Sequence, residues 1–418
     1  MKPAVFIFST AIFTLSSIIF IFYSIKKPKN ILNFATIFFV IFFPFSLFVI
    51  YKASIGFFSY KDQKVQVFEN NKPKVIWIIF DEWDQYLSFE NRPKNIELKE
   101  LDYLKKNYFY AQKVYQPGSD TIISIPTYTT GKKILNSQAL GFNHLKLNFA
   151  DESSSFWHQE ANIFSKLYSM NINSAVVGFF HPYERIFNNY CIEKYSFFNK
   201  KILDPFYQIA AFYLAGPLNK LTFNKIKFLK KFKFFFDATW QTNQYMGVKQ
   251  NALNIIKNKD INFCFIHFSI PHLPGIYSKK NEKISQKSGT YSENLILMDK
   301  TIKQIRKELQ KSKLWEACTL ILTSDHWLRN HFWQTTHIKL TKEEMALCAL
   351  RNEALVPLII KMPHQKKAIS YDKPFNAISL HNLVLDIYND KVSNEIDLVN
   401  WFDNLDDSLK KPYENITY

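Results

Sequence analysis

Two pairs of metal-ligating residues follow short apolar runs of the chain. Asp81 and Glu82 form the first pair, and Asp325 and His326 form the second. A single acidic pair after a strand is more often a helix cap or part of a solvated loop. Two such pairs with a hydroxyl-rich loop between them favour a site for a divalent cation. Zinc is the first expectation for this set of oxygen and nitrogen donors, with manganese, calcium or magnesium as alternatives.

The loop between the two pairs, Gln116–Lys132, is rich in serine and threonine. A hydroxyl group is a poor nucleophile until its proton is removed. Coordination to a divalent cation lowers its pKa enough to give an alkoxide near neutral pH. A hydroxyl of this loop is therefore a candidate for covalent catalysis beside the cation.

The ordered set of segments resembles the alkaline phosphatase and sulfatase superfamily. In that superfamily a metal-binding acidic pair after the first strand precedes a nucleophile at the start of a helix. The segment Gly118–Pro126 is most similar to the nucleophile segment of lipid A phosphoethanolamine transferases, in which the attacking threonine stands five positions before a proline. Thr121 occupies that position. The resemblance implies that Thr121 is the nucleophile and that it binds the metal together with the two pairs.

Further segments match the superfamily in the same order. His272, at the end of Ile266–His272, matches its substrate-side histidine, and His337 matches a further functional histidine. The resemblance implies that these two stabilise charge on the transferred group and assist the leaving oxygen. We interpret His267 as a structural residue of a strand, and His181 either as a substrate contact or as a loop residue.

Two departures bear on the substrate. Sulfatases proper carry Cys or Ser followed by x-Pro/Ala-x-Arg, whose side chain is oxidised to formylglycine, and Thr121–Ile125 lacks this motif. The cysteines that flank the nucleophile of many lipid A transferases are absent, and Trp327 replaces the glycine usual after Asp-His. We expect a hydrolase or transferase that acts on a phosphoester, either a phospholipid headgroup or a lipid-linked glycan, through a covalent threonine. The alternatives are a sulfuric ester hydrolase and a non-catalytic, membrane-tethered member of the fold.

The elements that must position these residues follow from the pattern of residues 74–390. Short apolar runs alternate there with polar, helix-like stretches, which is typical of an α/β domain. Together with the resemblance, this pattern predicts an alkaline-phosphatase-like α/β/α sandwich with a central mixed sheet. Buried strands are predicted at Val75–Phe80, Ser174–Phe180, Asn262–Ser269, Thr319–Thr323 and Val356–Lys361, and helices that cover the sheet at Phe156–Met170 and Asn294–Lys311.

The first 55 residues predict a membrane anchor. Segments 4–25 and 31–51 are apolar and uncharged. At 1.5 Å per residue, each is long enough to cross a hydrocarbon core of about 30 Å. The short connector carries three lysines, which places it in the cytoplasm and the catalytic domain outside. We therefore expect a multi-pass protein of the cytoplasmic (inner) membrane with an extracytoplasmic catalytic domain.

Composition limits the partners. The chain of 418 residues has 53 Lys and Arg against 36 Asp and Glu, a formal charge of +17, which suits anionic surfaces or substrates. An extracytoplasmic domain makes nucleic acid an unlikely partner, and membrane lipids or a lipid-linked glycan are expected instead.

Segment 201–236 mixes aromatic residues with lysines and is either a membrane-surface insertion or an ordinary surface helix. Segment 391–418 is expected to be a polar tail, and the four cysteines do not form a disulfide framework.

Overall fold

The computed structural model describes residues 62–69, 71–140, 144–197, 227–336, 338–351 and 353–412, together with scattered positions between 29 and 51. The predicted membrane segment 4–25 lies outside these residues, and 31–51 lies largely outside them. Within the described ranges no helix is both long and apolar enough to cross a membrane. The two transmembrane helices therefore stay predictions.

The strands position the rest of the molecule. In chain order they are β1 (Val75–Asp81), β2 (Phe109–Ala111), β3 (Val114–Tyr115), β4 (Ile134–Ala139), β5 (Leu145–Phe149), β6 (Ser154–Phe156), β7 (Ser174–Gly178), β8 (Cys191–Ser196), β9 (Phe263–Pro271), β10 (Gly275–Ser278), β11 (Lys283–Gly289), β12 (Thr319–Ser324), β13 (Leu358–Lys361), β14 (Ile369–Tyr371) and β15 (Phe375–Asn376). Eight strands of the described chain form one sheet in the order β14-β2-β13-β12-β1-β9-β7-β8. β1 is parallel to both of its neighbours, whereas β13 is antiparallel to β12 and β2. The sheet is therefore mixed, as predicted.

Helices cover both faces of this sheet. They are α1 (Lys99–Asn107), α2 (Thr121–Thr130), α3 (Ile163–Ser169), α4 (Tyr183–Ile186), α5 (Lys227–Lys257), α6 (Tyr291–Lys311), α7 (Asn330–Thr335), α8 (Lys342–Cys348), α9 (Leu380–Tyr388) and α10 (Glu395–Asp403). Along β1, Ile76, Ile78 and Phe80 belong to one hydrophobic cluster, and Val75, Trp77 and Ile79 belong to another. Because successive side chains of a strand point to opposite faces, these clusters are the two halves of an α/β/α core.

Local capping explains where two helices begin. The predicted helix Phe156–Met170 is wrong in its first half, because α3 begins only after Asn162, whose side chain accepts hydrogen bonds from the backbone N–H of Phe164 and Ser165. α6 begins three residues before the predicted Asn294. Thr290 and Glu293 form a capping box there, which starts the helix before the apolar pattern becomes evident in the sequence.

The structure describes two further segments in part. Of the predicted insertion 201–236, the described residues belong to α5. The expected tail 391–418 contains α10, which buries Leu398 and Phe402. The Phe402 ring stacks on Phe109 at a centroid distance of 5.2 Å. This part of the chain is therefore packed against the core and is not simply a polar tail.

Candidate active site

The candidate site lies where β1 and β12 end side by side. The two strands are parallel, and Phe80 lies opposite Ser324. The Ser324 hydroxyl donates to the Phe80 carbonyl at 2.8 Å and accepts from the Trp83 N–H at 2.9 Å. Because the carboxyl ends of parallel strands meet at one edge of a sheet, Asp81 and Asp325 come together there from distant parts of the sequence.

Three of the predicted metal ligands form one group. One ligand atom from each of Asp81, Asp325 and His326 lies within 4.8 Å of the other two. His326 Nε2 is 3.6 Å from Asp81 Oδ1 and 3.4 Å from Asp325 Oδ2. His326 Nδ1 lies 2.9 Å from the Trp327 carbonyl. Since a carbonyl oxygen only accepts, Nδ1 carries the proton and Nε2 keeps its lone pair for a cation.

The electrostatics of this group fit a divalent cation. Burial raises the pKa of Asp81 well above its ordinary value, and Asp325 and Glu82 raise it further. Burial, with a smaller effect of Arg329, lowers the pKa of His326 to about 3, so its imidazole is neutral. Asp81 Oδ1 is buried and has no hydrogen-bond partner among the described residues. A divalent cation would satisfy that oxygen and neutralise two close carboxylates.

Thr121 is the first residue of α2 and contacts the same group. Its Oγ donates to Asp325 Oδ2 at 2.8 Å and lies 3.3 Å from His326 Nε2. Asp120 caps the helix by accepting from the Ile123 N–H at 3.2 Å. The start of a helix carries free N–H groups and a positive dipole end, which favour negative charge at this hydroxyl. The structure therefore brings the predicted nucleophile together with two predicted ligands.

The turn before α2 requires a small residue. A Cβ atom added at Gly118 would lie 2.7 Å from Ile123 Cγ2 and 2.9 Å from the Ser124 nitrogen, too close for ordinary packing. Gly118 therefore allows the loop to close against the first turn of the helix. That closure places Thr121 rather than the neighbouring serines in contact with Asp325.

Glu82 lies beside the three-residue group and binds other partners. Its Oε1 accepts from Arg329 Nε at 2.9 Å, and its Oε2 accepts from Trp333 Nε1 at 2.8 Å. Burial alone would raise the pKa of Glu82, but His272 and Arg329 outweigh it, so the pKa lies below its ordinary value. Each carboxylate oxygen of Glu82 accepts one hydrogen bond because Arg329 and α7 fold back over the end of β1. The role of Glu82 as a metal ligand stays a prediction.

Of the two predicted substrate-side histidines, the structure describes His272 but not His337. His272 Nε2 lies 3.9 Å from Glu82 Oε2, and its side chain is 25 % exposed. The His272 backbone N–H donates to the Asp81 carbonyl at 3.1 Å, which fixes the residue beside the metal group. Burial lowers its pKa, while Glu82 acts in the opposite direction. His337 lies outside the described residues, so its role stays a prediction.

A second group of side chains lies next to Thr121 on the same face of the sheet. His267 Nδ1 is 2.7 Å from the Tyr183 hydroxyl, while His267 Nε2 is buried without a hydrogen-bond partner among the described residues. His181 Nε2 is 3.3 Å from the Thr121 carbonyl. His267 lies buried within β9, as expected of a structural residue, and the sequence did not indicate its unpaired nitrogen. Strand alternation gives the signal, because His267 pairs with Ile79 and so faces the side of the sheet that carries α2.

Trp327 and Arg351 hold the chain that follows the Asp-His pair. The Arg351 guanidinium hydrogen-bonds to the Asp84 carboxylate and lies 3.9 Å from the centre of the Trp327 ring. It also donates to the Leu328 carbonyl at 3.3 Å. The bulky residue in the place of the usual glycine therefore has a packing role: it supports the segment that leads to Arg329.

Comparison with known proteins gives the family. The family model described as Sulfatase matches residues 73–390. The chain belongs to the sulfatase family. Its fold and the predicted superfamily resemblance are thereby confirmed, and this membership indicates hydrolytic enzyme activity. The comparisons do not show the more specific resemblance to lipid A transferases.

Two solved structures of Ps i-CgsB agree with this membership at the level of the fold. The crystal structure of Ps i-CgsB in complex with k-i-k-neocarrahexaose has 14% identity and a TM-score of 0.52, over 78% of this sulfatase-family chain and 74% of that chain. A second structure of Ps i-CgsB has 16% identity and a TM-score of 0.50, over 79% and 74%. The phosphonate monoester hydrolase of Agrobacterium radiobacter has 11% identity and a TM-score of 0.47, over 76% and 74%. A comparison with curated proteins gave no match.

Proposed function

We propose that this sulfatase-family protein is a membrane-anchored, metal-dependent hydrolase or transferase that acts on a phosphoester through a covalent intermediate on Thr121. One observation supports this proposal above the others. The Thr121 hydroxyl begins a helix, hydrogen-bonds to Asp325 at 2.8 Å and lies 3.3 Å from His326 Nε2. A hydroxyl in contact with two metal-ligating side chains is the arrangement that nucleophilic attack requires.

The first step forms the covalent intermediate. Thr121 Oγ forms a bond to phosphorus, and its proton is accepted at Asp325 Oδ2. The bond from phosphorus to the leaving oxygen breaks, and His272, which enters the step protonated beside Glu82, gives that oxygen a proton and becomes neutral. A divalent ion held by Asp81, Asp325 and His326 would supply the Lewis acidity that lowers the pKa of the hydroxyl and offsets the negative charge of the transferred group.

The second step releases the transferred group. The oxygen of water or of an acceptor alcohol attacks phosphorus and gives its proton to His272. The bond between phosphorus and Thr121 Oγ breaks, and Asp325 returns the proton to that oxygen. Water as the second nucleophile gives hydrolysis, whereas an alcohol gives transfer.

The substrate proposal comes from the chain outside the site. Segments 4–25 and 31–51 would anchor the catalytic domain at the outer face of the cytoplasmic membrane. A site held there meets phosphoesters presented by the bilayer. We therefore propose a phospholipid headgroup or a lipid-linked glycan as substrate.

Sulfate-ester hydrolysis is the second candidate, because the chain belongs to the sulfatase family. The residue in the nucleophile position argues against it. Thr121 is not followed by the x-Pro/Ala-x-Arg sequence that formylglycine formation requires. Parallel assays with an aryl phosphate, an aryl phosphodiester and an aryl sulfate separate the two reaction classes, and hydrolysis of the sulfate alone would overturn our proposal.

The nucleophile is tested by Thr121→Ala. We expect this variant to lose turnover of phosphoesters and to remain folded, because no core volume is removed. Thr121→Ser keeps a hydroxyl and should retain part of the rate. Ser119→Ala is the matched control in the same loop and should keep a substantial rate.

Mass spectrometry of the intact protein gives an independent measurement. A mass increase trapped on the parent chain and absent from Thr121→Ala would identify both the reaction class and the transferred group. Activity of Thr121→Ala comparable to that of the parent would exclude the covalent mechanism.

A further inference from the structure

Arg329 has a position in the site that the reaction scheme above leaves unused. It precedes α7, four residues after the metal-ligating Asp325, and its Nε donates to Glu82 Oε1 at 2.9 Å. Trp333, one turn further along, donates to the other carboxylate oxygen at 2.8 Å. Glu82 is fully buried, so this pair of donors satisfies an ionised carboxylate that would otherwise be costly.

The remaining donors of Arg329 are available. Neither Nη1 nor Nη2 makes a hydrogen bond to a described residue, and the side chain is 28 % exposed. The Glu82 that holds Arg329 also donates its backbone N–H to Asp325 Oδ1 at 3.1 Å. The guanidinium lies over the Phe332 ring, 5.2 Å from its centre. Arg329 is therefore anchored beside the metal group through Glu82.

The charges of the metal group, Glu82 and Arg329 balance with a single metal ion. Asp81, Asp325 and Glu82 carry three negative charges when ionised. Arg329 contributes one positive charge and a divalent ion would contribute two. With Glu82 occupied by Arg329 and Trp333, the carboxylates that remain for an ion are those of the three-residue group.

We propose that Arg329 is a substrate-binding residue that holds a non-bridging oxygen of the tetrahedral oxyanion, and that Glu82 is its anchor and not a metal ligand. The guanidinium presents a planar fork of donors that matches phosphoryl or sulfuryl oxygens. Glu82, which is itself held by Trp333, fixes the Nε of Arg329. The two Nη groups make no hydrogen bond to a described residue, and they are ordered before substrate binds. Arg329 thus provides the second cationic centre of the site. This inference rests on the proposed function, because it assigns the transferred anion a second contact.

The direct test measures binding of inorganic phosphate to the full chain loaded with zinc, by isothermal titration calorimetry. Removing a hydrogen bond between two charged groups weakens binding by about tenfold or more. We therefore expect Arg329→Gln to raise the Kd for phosphate by about that factor. Arg329→Lys keeps a charge without the fork and should fall between the parent and Arg329→Gln. Arg92→Gln removes a surface arginine that pairs with Asp102 and is the matched control, which should leave the Kd unchanged.

Metal content distinguishes an anchor from a ligand. We expect Glu82→Gln to retain the zinc content of the parent while its Kd for phosphate rises, since Arg329 loses its charged anchor. Loss of zinc from Glu82→Gln would make Glu82 a ligand and overturn the assignment. An unchanged Kd for phosphate in a folded Arg329→Gln would overturn it equally.

A second variant serves as a control for a folding defect in Arg329→Gln. Arg329→Gln leaves the Glu82 charge buried, so the double variant Glu82→Gln with Arg329→Gln removes both charges together and should fold where the single variant does not. Its Kd for phosphate should be raised as in Arg329→Gln, and a parental Kd would overturn the proposal. Repeating the titration with sulfate tells whether the site prefers a phosphoryl or a sulfuryl group. The proposed function fails separately, through activity of Thr121→Ala, which leaves the contribution of Arg329 to phosphate binding intact.

Discussion

The carboxylate of Asp325 connects the parts of the proposed catalytic centre. Its Oδ1 accepts from the backbone N–H of Glu82 at 3.1 Å and of His326 at 2.8 Å, while Oδ2 accepts from Thr121. One side chain therefore fixes the turn after β1, the turn after β12 and the start of α2. Its removal should affect metal binding before it affects the rest of the fold.

Asp325→Asn tests the metal group. The amide has nearly the same shape but no negative charge, so we expect zinc bound per chain to fall by about tenfold or more at limiting metal. Added zinc should raise the Tm of the parent and have little effect on the variant. Asp260→Asn, at an exposed loop position, is the control. Parental zinc content in Asp325→Asn would exclude Asp325 as a ligand.

Sequence reasoning at the scale of residues worked where the chemistry is local. Asp325 and His326 directly follow an apolar run, and strand polarity together with the superfamily resemblance predicts that they meet Asp81. The contacts of Glu82 were not predictable in this way, because they depend on how Arg329 and α7 fold back across the sheet edge. A carboxylate next to a ligand in the sequence can belong to a different network in space.

At the scale of elements, α1 and α6 meet through a buried acid. Asp299 of α6 accepts from the Leu101 N–H in the first turn of α1 at 2.8 Å. The helix end favours its ionised form, but burial outweighs this and raises the pKa of Asp299 from 3.8 to about 6. The folded state therefore binds a proton more tightly here than the unfolded state does.

This difference predicts a pH dependence of stability. Below about pH 4 Asp299 is protonated in both states, and as pH rises from about 4 to 6 the unfolded state ionises first, so folding becomes less favourable. The loss is of order 3 kcal/mol and is constant above about pH 6. Urea unfolding of Asp299→Asn at pH 4 and pH 7 should lack this contribution, whereas exposed Asp260→Asn should follow the parent. Equal pH dependence of Asp299→Asn and the parent would contradict it.

The C-terminal helix gives a second prediction at this scale. Phe402 of α10 is 1% exposed and packs against Phe109 and Phe375, with ring centroids 5.2 and 4.4 Å away. We expect Phe402→Ala to lower the free energy of unfolding by about 3–5 kcal/mol. Ile396, on the same helix but 59% exposed, is the matched control, and Ile396→Ala should change it by less than about 1 kcal/mol. Urea unfolding measures both, and equal stabilities would show that α10 does not support the core.

Helix α10 was not predicted, because the polar composition of 391–418 gives no clear helical pattern. Leu398 and Phe402 are one turn apart on α10, which is too short a repeat to separate from its polar surroundings. The long buried strands were easier to predict, because a continuous apolar run such as 319–323 is typical of a buried strand. Elements were thus predictable where their burial is continuous along the chain, and less so where a short helix packs through one or two side chains.

At the scale of the whole molecule, the sheet presents its candidate site at the carboxyl ends of β1 and β12, next to His272 after β9. Membership of the sulfatase family accounts for this placement. The first 55 residues and the charge of +17 bear on a different matter, the surface at which the site works. If the predicted anchor is formed, a cationic domain beside an anionic bilayer would hold its site near lipid phosphoesters.

The proposed substrate depends on the membrane topology of the chain, which can be tested directly. If connector 26–30 is cytoplasmic, an enzyme reporter that is active only after export should be active when fused after Tyr418. The same reporter fused after Asn30 should be inactive, whereas a reporter that works only in the cytoplasm should show the opposite pattern. Replacing Lys26, Lys27 and Lys29 by Gln should weaken the preference for one orientation, since these residues provide the positive charge of the connector between the two segments. A cytoplasmic signal from the fusion after Tyr418 would place the catalytic domain inside the cell and rule out a substrate presented at the outer face of the membrane.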